Sequence, residues 1–343
     1  MLRGALIGLG NVALHGHLPG WRRRHDVEIV GGTDSRPEQR AVLMAHAPGA
    51  RWYATAGELL TEASLDFVDI CTPPASHAPL IRSVLERGLH VLCEKPLVGA
   101  LDDLAPLARL AAKTGRVLYT VHNWHHAPIV RRTTELLREG RIGRVNHVVW
   151  HTLRTRPAAV GDQRGGNWRV DPAVAGGGVL TDHGWHVFYV VQRWIGEPPL
   201  SVSATLERRR HVSWSVEDTA SVRVTFAEAT AEILLTWASD VRRNWAEVSG
   251  TAGVLELQDD TLVLKGDGRG PDLSWPCPPA MSDGSHHPDW FDAVAGQFLA
   301  EATGAAPRGE NLAEASLCVA LEHGARQSSR EGGREVTLAG VLT

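Results

Sequence analysis

Residues 2–13 read LRGALIGLGNVA, an apolar run that ends in glycine and leads into a helical apolar pattern. The spacing GxGxxA begins at Gly8, which permits a tight turn after the strand. Gly10 lets the backbone approach a pyrophosphate, whose charge lies at the helix N-terminus, and the final alanine lets helix and strand pack closely. This strand–turn–helix unit predicts a dinucleotide site, to which we assign Gly8, Gly10, Asn11 and Val12.

A carboxylate follows the second apolar run, VEIVGGT at residues 27–33. This residue, Asp34, lies 26 positions after Gly8, a spacing at which an acid accepts both ribose hydroxyls of NAD. Its charge would also repel a 2′-phosphate, so we expect NAD rather than NADP. Arg36, two residues on, could bind a 2′-phosphate, and NADP therefore stays open as the alternative.

Strand-like and helical segments alternate through the first 123 residues, which predicts right-handed βαβ crossovers and a parallel sheet. From residue 144 the strands are longer and alternate apolar with polar residues, as in ASVRVTF at 220–226. That alternation is typical of an antiparallel sheet with one face exposed to water. We predict an α/β protein with a Rossmann domain at 1–123 and a substrate-binding and oligomerisation domain at 124–343, whose sheet is open and mostly antiparallel.

Two stretches rich in Gly, Pro, Asp and Ser, at 157–168 and 266–286, are predicted to be loops. Helical patterns near 287–302 and 311–329 close the chain. We allow for these C-terminal helices to pack back on the Rossmann domain.

The composition excludes several classes of protein. Hydrophobic residues make up 43% and charged residues 22% of the 343 positions, as in ordinary globular proteins. Lys plus Arg total 35 against 39 for Asp plus Glu, so the net charge is −4 and neither nucleic acid nor a membrane surface is an expected partner. No apolar run approaches the ~18 residues of a spanning helix.

The four cysteines stand far apart and form no CxxC pair, so their pattern indicates neither a zinc ribbon nor a disulfide framework. The N-terminus also lacks the small-residue cleavage site of a signal peptide. We therefore expect a reducing, cytoplasmic setting.

Three further motifs carry a resemblance to a known family: TPPASH at 72–77, EKP at 94–96 and AGGGVLTDHGWH at 175–186. In this order, after GxGxxA, they resemble the GFO/IDH/MocA family of glucose–fructose oxidoreductases and inositol dehydrogenases, over nearly the whole chain. The resemblance implies a nicotinamide cofactor and hydride transfer at a sugar or cyclitol carbinol. It implies catalytic roles for Lys95, Asp182 and His186, and a cis peptide between Lys95 and Pro96.

The same resemblance places further residues beside the cofactor. Thr72 and Pro73 are expected at the nicotinamide, and Glu94 and Lys95 follow the next strand. His77 is assigned to the cofactor as well, although a helix-capping or packing role is an equal alternative.

The proposed catalytic groups suit the chemistry. Asp182 and His186 are four apart and share a face of a helix, so the acid could orient the imidazole. An imidazole titrates near neutrality and suits a base that takes the hydroxyl proton while hydride leaves. Only three residues are Lys against 32 Arg, and Lys95 at a strand end could hold the hydroxyl oxygen.

The substrate is expected to contact HNWHH at 122–126, after the sixth strand, and the residues around the glycine-rich motif. Indole rings can stack on the C–H face of a sugar. We assign to the substrate site Asn123, Trp124, His125, Trp168, Arg169, Asp182, His183 and His186.

Arginines also surround the loop at 157–168, namely Arg154, Arg156, Arg164 and Arg169. They could bind a phosphate or carboxylate of the substrate or be surface charges. Two departures from the family leave the sugar open: His125 and His126 lie where many relatives carry Arg, and Tyr189 lies three residues after His186, where relatives often carry Asp.

A metal site, a lyase or glycoside hydrolase, and a non-catalytic regulator are the alternatives to the dehydrogenase. His183 and His186 form HxxH, but HExxH does not occur and the family chemistry needs no metal, so we expect none. A lyase or glycoside hydrolase that oxidises its substrate transiently would turn over without net NADH. A non-catalytic NAD-binding regulator is disfavoured because Lys95, Asp182 and His186 occur together. The two-faced strands of the second half also predict a homodimer or homotetramer.

Overall fold

The computed structural model describes residues 1–160, 166–266 and 271–338. Six strands form its first sheet: β1 (Leu2–Ile7), β2 (Val27–Thr33), β3 (Arg51–Trp52), β4 (Phe67–Ile70), β5 (His90–Cys93) and β6 (Leu118–Thr120). Neighbouring strands pair in parallel, in the order β3-β2-β1-β4-β5-β6. This doubly wound order confirms the predicted Rossmann-like sheet.

Helices cover both faces of this sheet: α1 (Leu18–Arg22), α2 (Arg40–His46), α3 (Ala56–Glu62), α4 (His77–Glu86) and α5 (Leu101–Thr114). Alternate residues of β1 are buried on opposite faces. Ala5 and Ile7 pack in the cluster that contains α3, α4 and α5, whereas Leu6 packs with Leu18 of α1 and Leu43 of α2. A strand buried on both sides explains the continuous apolar run in the sequence.

Nine strands form the second sheet: β7 (Val145–Leu153), β8 (Ser201–Glu207), β9 (Thr219–Thr225), β10 (Thr230–Thr236), β11 (Arg243–Gly250), β12 (Gly253–Gln258), β13 (Thr261–Lys265), β14 (Leu273–Pro276) and β15 (Val336–Thr337). Their order is β14-β13-β12-β11-β7-β10-β9-β8-β15. Among the described strands of this second sheet, only β7 and β10 pair in parallel, so the mostly antiparallel sheet is confirmed. The short β14 lies inside a stretch that the sequence predicts as a loop, and this part of the prediction is wrong.

The described residues after the first sheet form five α-helices: α6 (Pro128–Arg138), α7 (Pro172–Ala175), α8 (Trp185–Ile195), α9 (Pro288–Thr303) and α10 (Glu310–Arg330). Helices α8 and α10 pack on the inner face of the second sheet and on each other. Helix α9 instead packs back on the first sheet, where Phe291 and Phe298 join the cluster of Trp21 and Phe67.

The first sheet changes its winding direction between β1 and β4, which are neighbours. In open α/β sheets, ligands bind in the crevice outside the carboxyl ends of the strands at such a point. Gly8 follows β1 and Thr72 follows β4 closely, so the fold places two of the sequence motifs at this crevice. No helix among the described residues combines the length and the apolar character needed to cross a bilayer.

Candidate active site

A cavity of about 1050 Å³ lies at the carboxyl edge of the first sheet and extends to the second. Its volume is at the upper end of the range for a single ligand, ~300–1,000 Å³, and leaves room for a cofactor and a substrate. All predicted site residues line it except two, His77 and His125. Those on its wall are Gly8, Gly10, Asn11, Val12, Asp34, Arg36, Thr72, Pro73, Glu94, Lys95, Asn123, Trp124, Trp168, Arg169, Asp182, His183 and His186.

The glycine turn has the geometry of a dinucleotide cradle. Gly8 has a φ of +91°, and a Cβ there would lie 2.9 Å from the carbonyl carbon of Cys71 and from Thr72 Cγ2. Only glycine fits both the backbone conformation and this approach of β1 to β4. Asn11 Nδ2 donates to the carbonyl of Ala159 at 3.2 Å, so a segment after β7 lies against the same turn.

Asp34 is held at the end of β2 with its oxygens towards the turn. Its Oδ2 accepts the backbone N–H of Leu9 at 2.7 Å, and its Oδ1 accepts the backbone N–H of Arg36 at 2.9 Å. The Arg36 guanidinium also donates to Oδ1 from Nε at 3.0 Å. The acid and the arginine that compete in the choice between NAD and NADP therefore lie in direct contact.

A buried hydrogen-bond network behind the cavity orients Glu94. No local pattern in the sequence predicts this network. His17 Nδ1 lies 2.9 Å from Asp69 Oδ2, and His17 Nε2 lies 3.0 Å from Glu94 Oε1. Burial alone would lower the pKa of His17, but the adjacent Asp69 raises it well above its ordinary value. Glu94 Oε2 accepts the backbone N–H of Lys95 at 3.0 Å, which fixes the start of the EKP segment.

His77 lies behind the cavity wall and is fully buried. Its Nδ1 is 2.7 Å from the carbonyl of Pro96, and its Nε2 is 2.8 Å from the carbonyl of Thr72. Burial lowers its pKa. His77 thus connects the two loops that follow β4 and β5 through these contacts. This position agrees with the packing alternative rather than with contact to a cofactor.

Lys95 and Asp182 form the ion pair that joins the two halves of the cavity. Lys95 Nζ donates to Asp182 Oδ1 at 2.9 Å and to its carbonyl oxygen at 2.6 Å. Burial alone would raise the pKa of Asp182, but the charge of Lys95, with lesser effects of His183 and Arg169, holds it well below its ordinary value. The peptide between Lys95 and Pro96 is cis, as the family resemblance implies.

Asp182 and His183 lie on a π-helical turn, Leu180–Gly184, that precedes α8. Single π turns inside helices are frequent at functional sites. Gly178 lies so close to Glu217 that a Cβ would be 2.0 Å from its carbonyl oxygen. Glu217 Oε1 accepts the backbone N–H of Gly178 at 3.0 Å and that of Leu180 at 3.2 Å, which anchors the turn at its beginning. The glycine-rich motif therefore serves a close approach of two backbones.

His186 takes its orientation from Tyr189, not from Asp182, and this corrects the role that the sequence suggests for the acid. His186 Nδ1 lies 2.8 Å from Tyr189 Oη, which also accepts the backbone N–H of Trp124 at 2.9 Å. The Trp124 indole stacks on the imidazole at 4.5 Å and 9°. Asp182 is engaged with Lys95 instead.

This arrangement selects one tautomer of His186. Tyr189 is fully buried, and its hydroxyl hydrogen has no other acceptor among the described residues than His186 Nδ1. If Nδ1 carried the hydrogen instead, the tyrosine hydrogen would be left unpaired at a cost of ~1–3 kcal/mol. Burial, and next the charge of Lys95, lower the pKa of His186 well below its ordinary value. The contact with Tyr189 therefore favours the neutral ring with Nδ1 as the acceptor, which would leave the ring hydrogen on Nε2.

The other predicted substrate residues divide into two groups. Trp124, Trp168 and Arg169 line the cavity, with the Arg169 guanidinium 4.4 Å from the Trp168 ring. His125 instead bonds through Nε2 to Glu314 of α10 at 3.0 Å and lies away from the cavity. Arg156 is exposed and Arg164 lies outside the described residues.

Two groups of side chains have metal-ligand spacing among the described residues: His17, Asp69 and Cys71, and His122, His125 and Glu314. Hydrogen bonds already join the members of each group. Neither group includes the HxxH pair of the sequence, His183 and His186. That the protein uses no metal stays a prediction.

Comparison with known proteins agrees with this geometry. Residues 2–122 match the oxidoreductase family with an NAD-binding Rossmann fold, and residues 130–256 match the GFO/IDH/MocA C-terminal domain. The dTDP-3,4-didehydro-2,6-dideoxy-α-D-glucose 3-reductase of Streptomyces antibioticus is 30% identical over 263 residues, 75% of this chain and 75% of that protein. The D-apiose dehydrogenase of Paraburkholderia graminis is 27% identical over 266 residues, 75% of this chain and 68% of that protein.

Among solved structures, GenD2 from gentamicin A biosynthesis in complex with NAD superimposes with a TM-score of 0.83 at 24% identity, covering 98% of this chain and 96% of that one. This likeness supports the fold. The chain therefore belongs to the GFO/IDH/MocA family of oxidoreductases, and its first sheet is the NAD-binding Rossmann fold of that family.

Proposed function

We propose that the protein is an NAD-dependent dehydrogenase that transfers a hydride between the nicotinamide and a carbinol or ketone carbon of its substrate. The substrate class is a sugar, a cyclitol, or a phosphorylated or nucleotide-linked derivative. The observation that carries this proposal is the shared cavity, whose wall includes both the cradle at Gly8 and the side chains of Lys95, Asp182 and His186. The names of the similar reductase and D-apiose dehydrogenase support a sugar.

The residues present fit the cofactor. A Cβ at Gly10 would meet no atom nearer than Arg36 Nη2 at 3.9 Å, so the turn is open beside its backbone, and Asp34 lies at the end of β2 for the ribose. When bound, the nicotinamide accepts the hydride from a carbinol or gives it to a ketone. We propose NAD as the preferred form because Asp34 repels a 2′-phosphate, and NADP stays the alternative because Arg36 lies on the same carboxylate.

Lys95 and His186 would hold the substrate oxygen between them. An ammonium has three hydrogens, and two of those on Lys95 go to Asp182, which leaves one for the substrate. His186 offers Nε2–H as a second donor. Two donors directed at one oxygen stabilise the negative charge that develops there during hydride transfer.

We propose that Lys95 exchanges the proton with that oxygen, while His186 acts as a neutral hydrogen-bond donor. In ketone reduction the Lys95 ammonium gives its third hydrogen to the oxygen and becomes an amine. In carbinol oxidation the neutral amine, whose two hydrogens stay on Asp182, accepts the hydroxyl proton. If His186 Nε2 acted as a base, the ring hydrogen would have to lie on Nδ1. The hydroxyl hydrogen of Tyr189 would then have no acceptor among the described residues. Asp182 keeps Lys95 in place throughout because it accepts from Nζ with two atoms. Tyr189 is a positioning residue in this scheme.

A panel of sugars, inositols and their phosphates, incubated with NAD⁺ and followed by NADH absorbance, tests the proposal. We expect NADH to form with at least one member. A product that forms without net NADH would identify the lyase or glycoside hydrolase alternative instead. NAD binding with no chemical change in any panel member would favour the regulator.

Further parts of the prediction remain proposals. We propose domain limits of 1–123 and 124–343 and a cytoplasmic location, the latter supported by four buried free thiols. We also propose a homodimer or homotetramer formed through the outer face of the second sheet. That face carries half-buried apolar side chains, among them Val149, Leu153 and Leu234. A second copy of the chain would cover them.

A further inference from the structure

The substrate half of the cavity is unusually rich in positive charge. From residue 123 onwards, the described side chains on its wall include three guanidinium groups and a single carboxylate, Asp182. That carboxylate already bonds to the Lys95 ammonium. The guanidinium groups belong to Arg154, Arg169 and Arg242, which come from three different segments of the second domain.

We propose that the substrate carries an anionic group, a phosphate or a carboxylate, that binds to Arg154, Arg169 and Arg242. This inference rests on the proposed function and narrows its substrate class. Guanidinium groups bind both kinds of oxyanion through paired N–H donors, so the shared chemistry is recognition of charged oxygens.

Arg154, the first residue after β7, supports the anion site more strongly than the other two arginines, because it is only 2% exposed. Its Nη1 donates to the carbonyls of Leu153 at 2.8 Å and Arg243 at 3.1 Å, and its Nη2 donates to Asn244 Oδ1 at 3.3 Å. These partners are neutral, and Nε is buried without a hydrogen bond. Burial, and next the charge of Arg242, lower the pKa of Arg154 to about 10. A charge buried in this way is costly until an anion joins it.

Arg242 lies at an exposed position on the cavity wall, and its guanidinium, like that of Arg154, donates to neutral acceptors. Its Nε donates to the carbonyl of Ser282 at 2.6 Å, and its Nη2 donates to the carbonyl of Gly284. Both acceptors are neutral. Burial lowers the pKa of Arg242, although three carboxylates at a greater distance oppose that shift. The hydrogen bonds hold the side chain in one orientation and leave its charge unmatched.

Arg169 completes the cluster from the side of the catalytic groups. Its Nε lies 3.9 Å from Asp182 Oδ2, which is beyond hydrogen-bond distance, and Nε is buried without a partner. Neighbouring histidines add no charge, because burial and the surrounding cations lower the pKa of His183 to about 3 and that of His286 to about 4.

Asp259 is an acid that could compete with a bound anion, and among the described residues no hydrogen bond joins it to Arg154 or Arg242. Asp259 acts on both Arg154 and Arg242 through its charge, but its Oδ1 accepts the backbone N–H of Ser282 at 3.1 Å and that of Asn244 at 3.3 Å. Its Oδ2 accepts the hydroxyl of Ser282. The cofactor pyrophosphate has its own cradle in the backbone N–H groups of the turn at Gly8, so the arginines are not needed there.

The test compares each neutral sugar or cyclitol of the panel with its phosphate and with its carboxylate. We expect kcat/KM for one charged member to exceed that for its neutral parent by ~10- to 100-fold or more, the scale of hydrogen bonds to charged groups. Which charged member is preferred separates phosphate from carboxylate. Arg242→Gln should reduce this preference by ~10-fold or more. Arg141→Gln, an exposed arginine away from the cavity, should leave it unchanged.

Calorimetry on the NAD-loaded protein gives a readout that needs no turnover. Inorganic phosphate or acetate should bind to the wild type and to Arg141→Gln, and more weakly to Arg242→Gln. Equal kcat/KM for neutral and charged members would overturn the inference and leave the dehydrogenase intact. A loss of NAD affinity in Arg242→Gln would also overturn it, because the arginine would then serve the cofactor. Anion binding without turnover of any sugar would support the anion site and contradict the proposed function.

Discussion

Tyr189 Oη lies 2.8 Å from His186 Nδ1, and this contact determines which nitrogen of the imidazole faces the cavity. The hydroxyl is already an acceptor for the backbone N–H of Trp124, so its hydrogen points at the ring. The family resemblance implies an aspartate at this position in many relatives, which would accept a hydrogen from Nδ1 rather than donate one. In the proposed scheme, the exchange of this acceptor for a donor changes the role of Nε2 from base to donor.

The pH profile of kcat/KM tests this relationship. In ketone reduction Lys95 starts as the ammonium, so the loss of activity at low pH reports the pKa of His186, because this ring must be neutral to have the proposed tautomer. Burial and Lys95 depress that pKa, and the wild type should therefore stay active well below pH ~6.5, the ordinary value for histidine.

Tyr189→Asp would place a carboxylate at Nδ1 and raise the pKa of His186, by ~1–3 units for a close opposite charge. The groups that face His186 from other elements are Lys95, Asp182, His183 and His122, and they are the same in both proteins. The acid limb should move to higher pH in Tyr189→Asp and not in Tyr189→Phe. An acid limb that does not move in Tyr189→Asp would show that Tyr189 has no control over His186.

Asp34→Ala should weaken NAD binding with much less effect on NADP, because the removed carboxylate accepts from the ribose of one and repels the 2′-phosphate of the other. Dissociation constants for both cofactors measure the change. Glu38→Ala, an exposed acid close in sequence, is the matched control. A wild-type preference for NADP would mean that Arg36 outweighs Asp34.

His125→Ala should lower the melting temperature and leave KM for the substrate near the wild-type value, because His125 bonds to Glu314 and not to the cavity. Two hydrogen bonds from His122 and His125 oppose the effect of burial and hold the pKa of Glu314 well below its ordinary value. Glu314 therefore stabilises the fold above the pKa of an unfolded glutamate, and that stability is lost as the pH falls towards the depressed value.

Glu314→Gln should destabilise by ~1.5–3 kcal/mol at neutral pH, the scale of hydrogen bonds to charged groups. The exposed Glu310 on the same helix supplies the control Glu310→Gln. A large rise in KM with an unchanged melting temperature in His125→Ala would show instead that His125 contacts the substrate.

Leu234→Glu, on the outer face of the second sheet, should shift the protein from an oligomer to a monomer in sedimentation experiments. The charge would be buried against the second copy without a partner. Arg223→Gln, an exposed residue of the neighbouring strand, changes the surface charge without adding a buried acid and should leave the oligomer in place. A wild type that sediments only as a monomer at micromolar concentration would contradict the proposed assembly.

The parts of the fold that depend on local patterns could be predicted from the sequence. The turn at Gly8 and the position of Asp34 follow from neighbouring residues and from the βαβ order. The two π turns, at Ala13–His17 and Leu180–Gly184, could not be predicted, because their residues carry an ordinary helical pattern. Local propensity does not distinguish an α turn from a π turn that tertiary contacts select.

Long-range polar contacts are the second kind of feature that the sequence conceals. His125 and Glu314 are 189 positions apart, and nothing in either segment pairs them. The sequence predicts His125 at the substrate because HNWHH follows the sixth strand, and from this segment Trp124 does line the cavity. Tyr189 was visible as a departure from the family, but its consequence required the distance to His186.

We propose that Lys95 and His186 act on the substrate oxygen inside the NAD-binding cavity. The most direct test is kcat, measured together with the NAD dissociation constant, for Lys95→Ala and His186→Ala, with the exposed Lys113→Ala as control. We predict that kcat falls by at least ~100-fold in the first two variants and not in the control, while NAD affinity stays near the wild-type value in all three. Near-normal turnover in either cavity variant, with NAD still bound, would contradict the account.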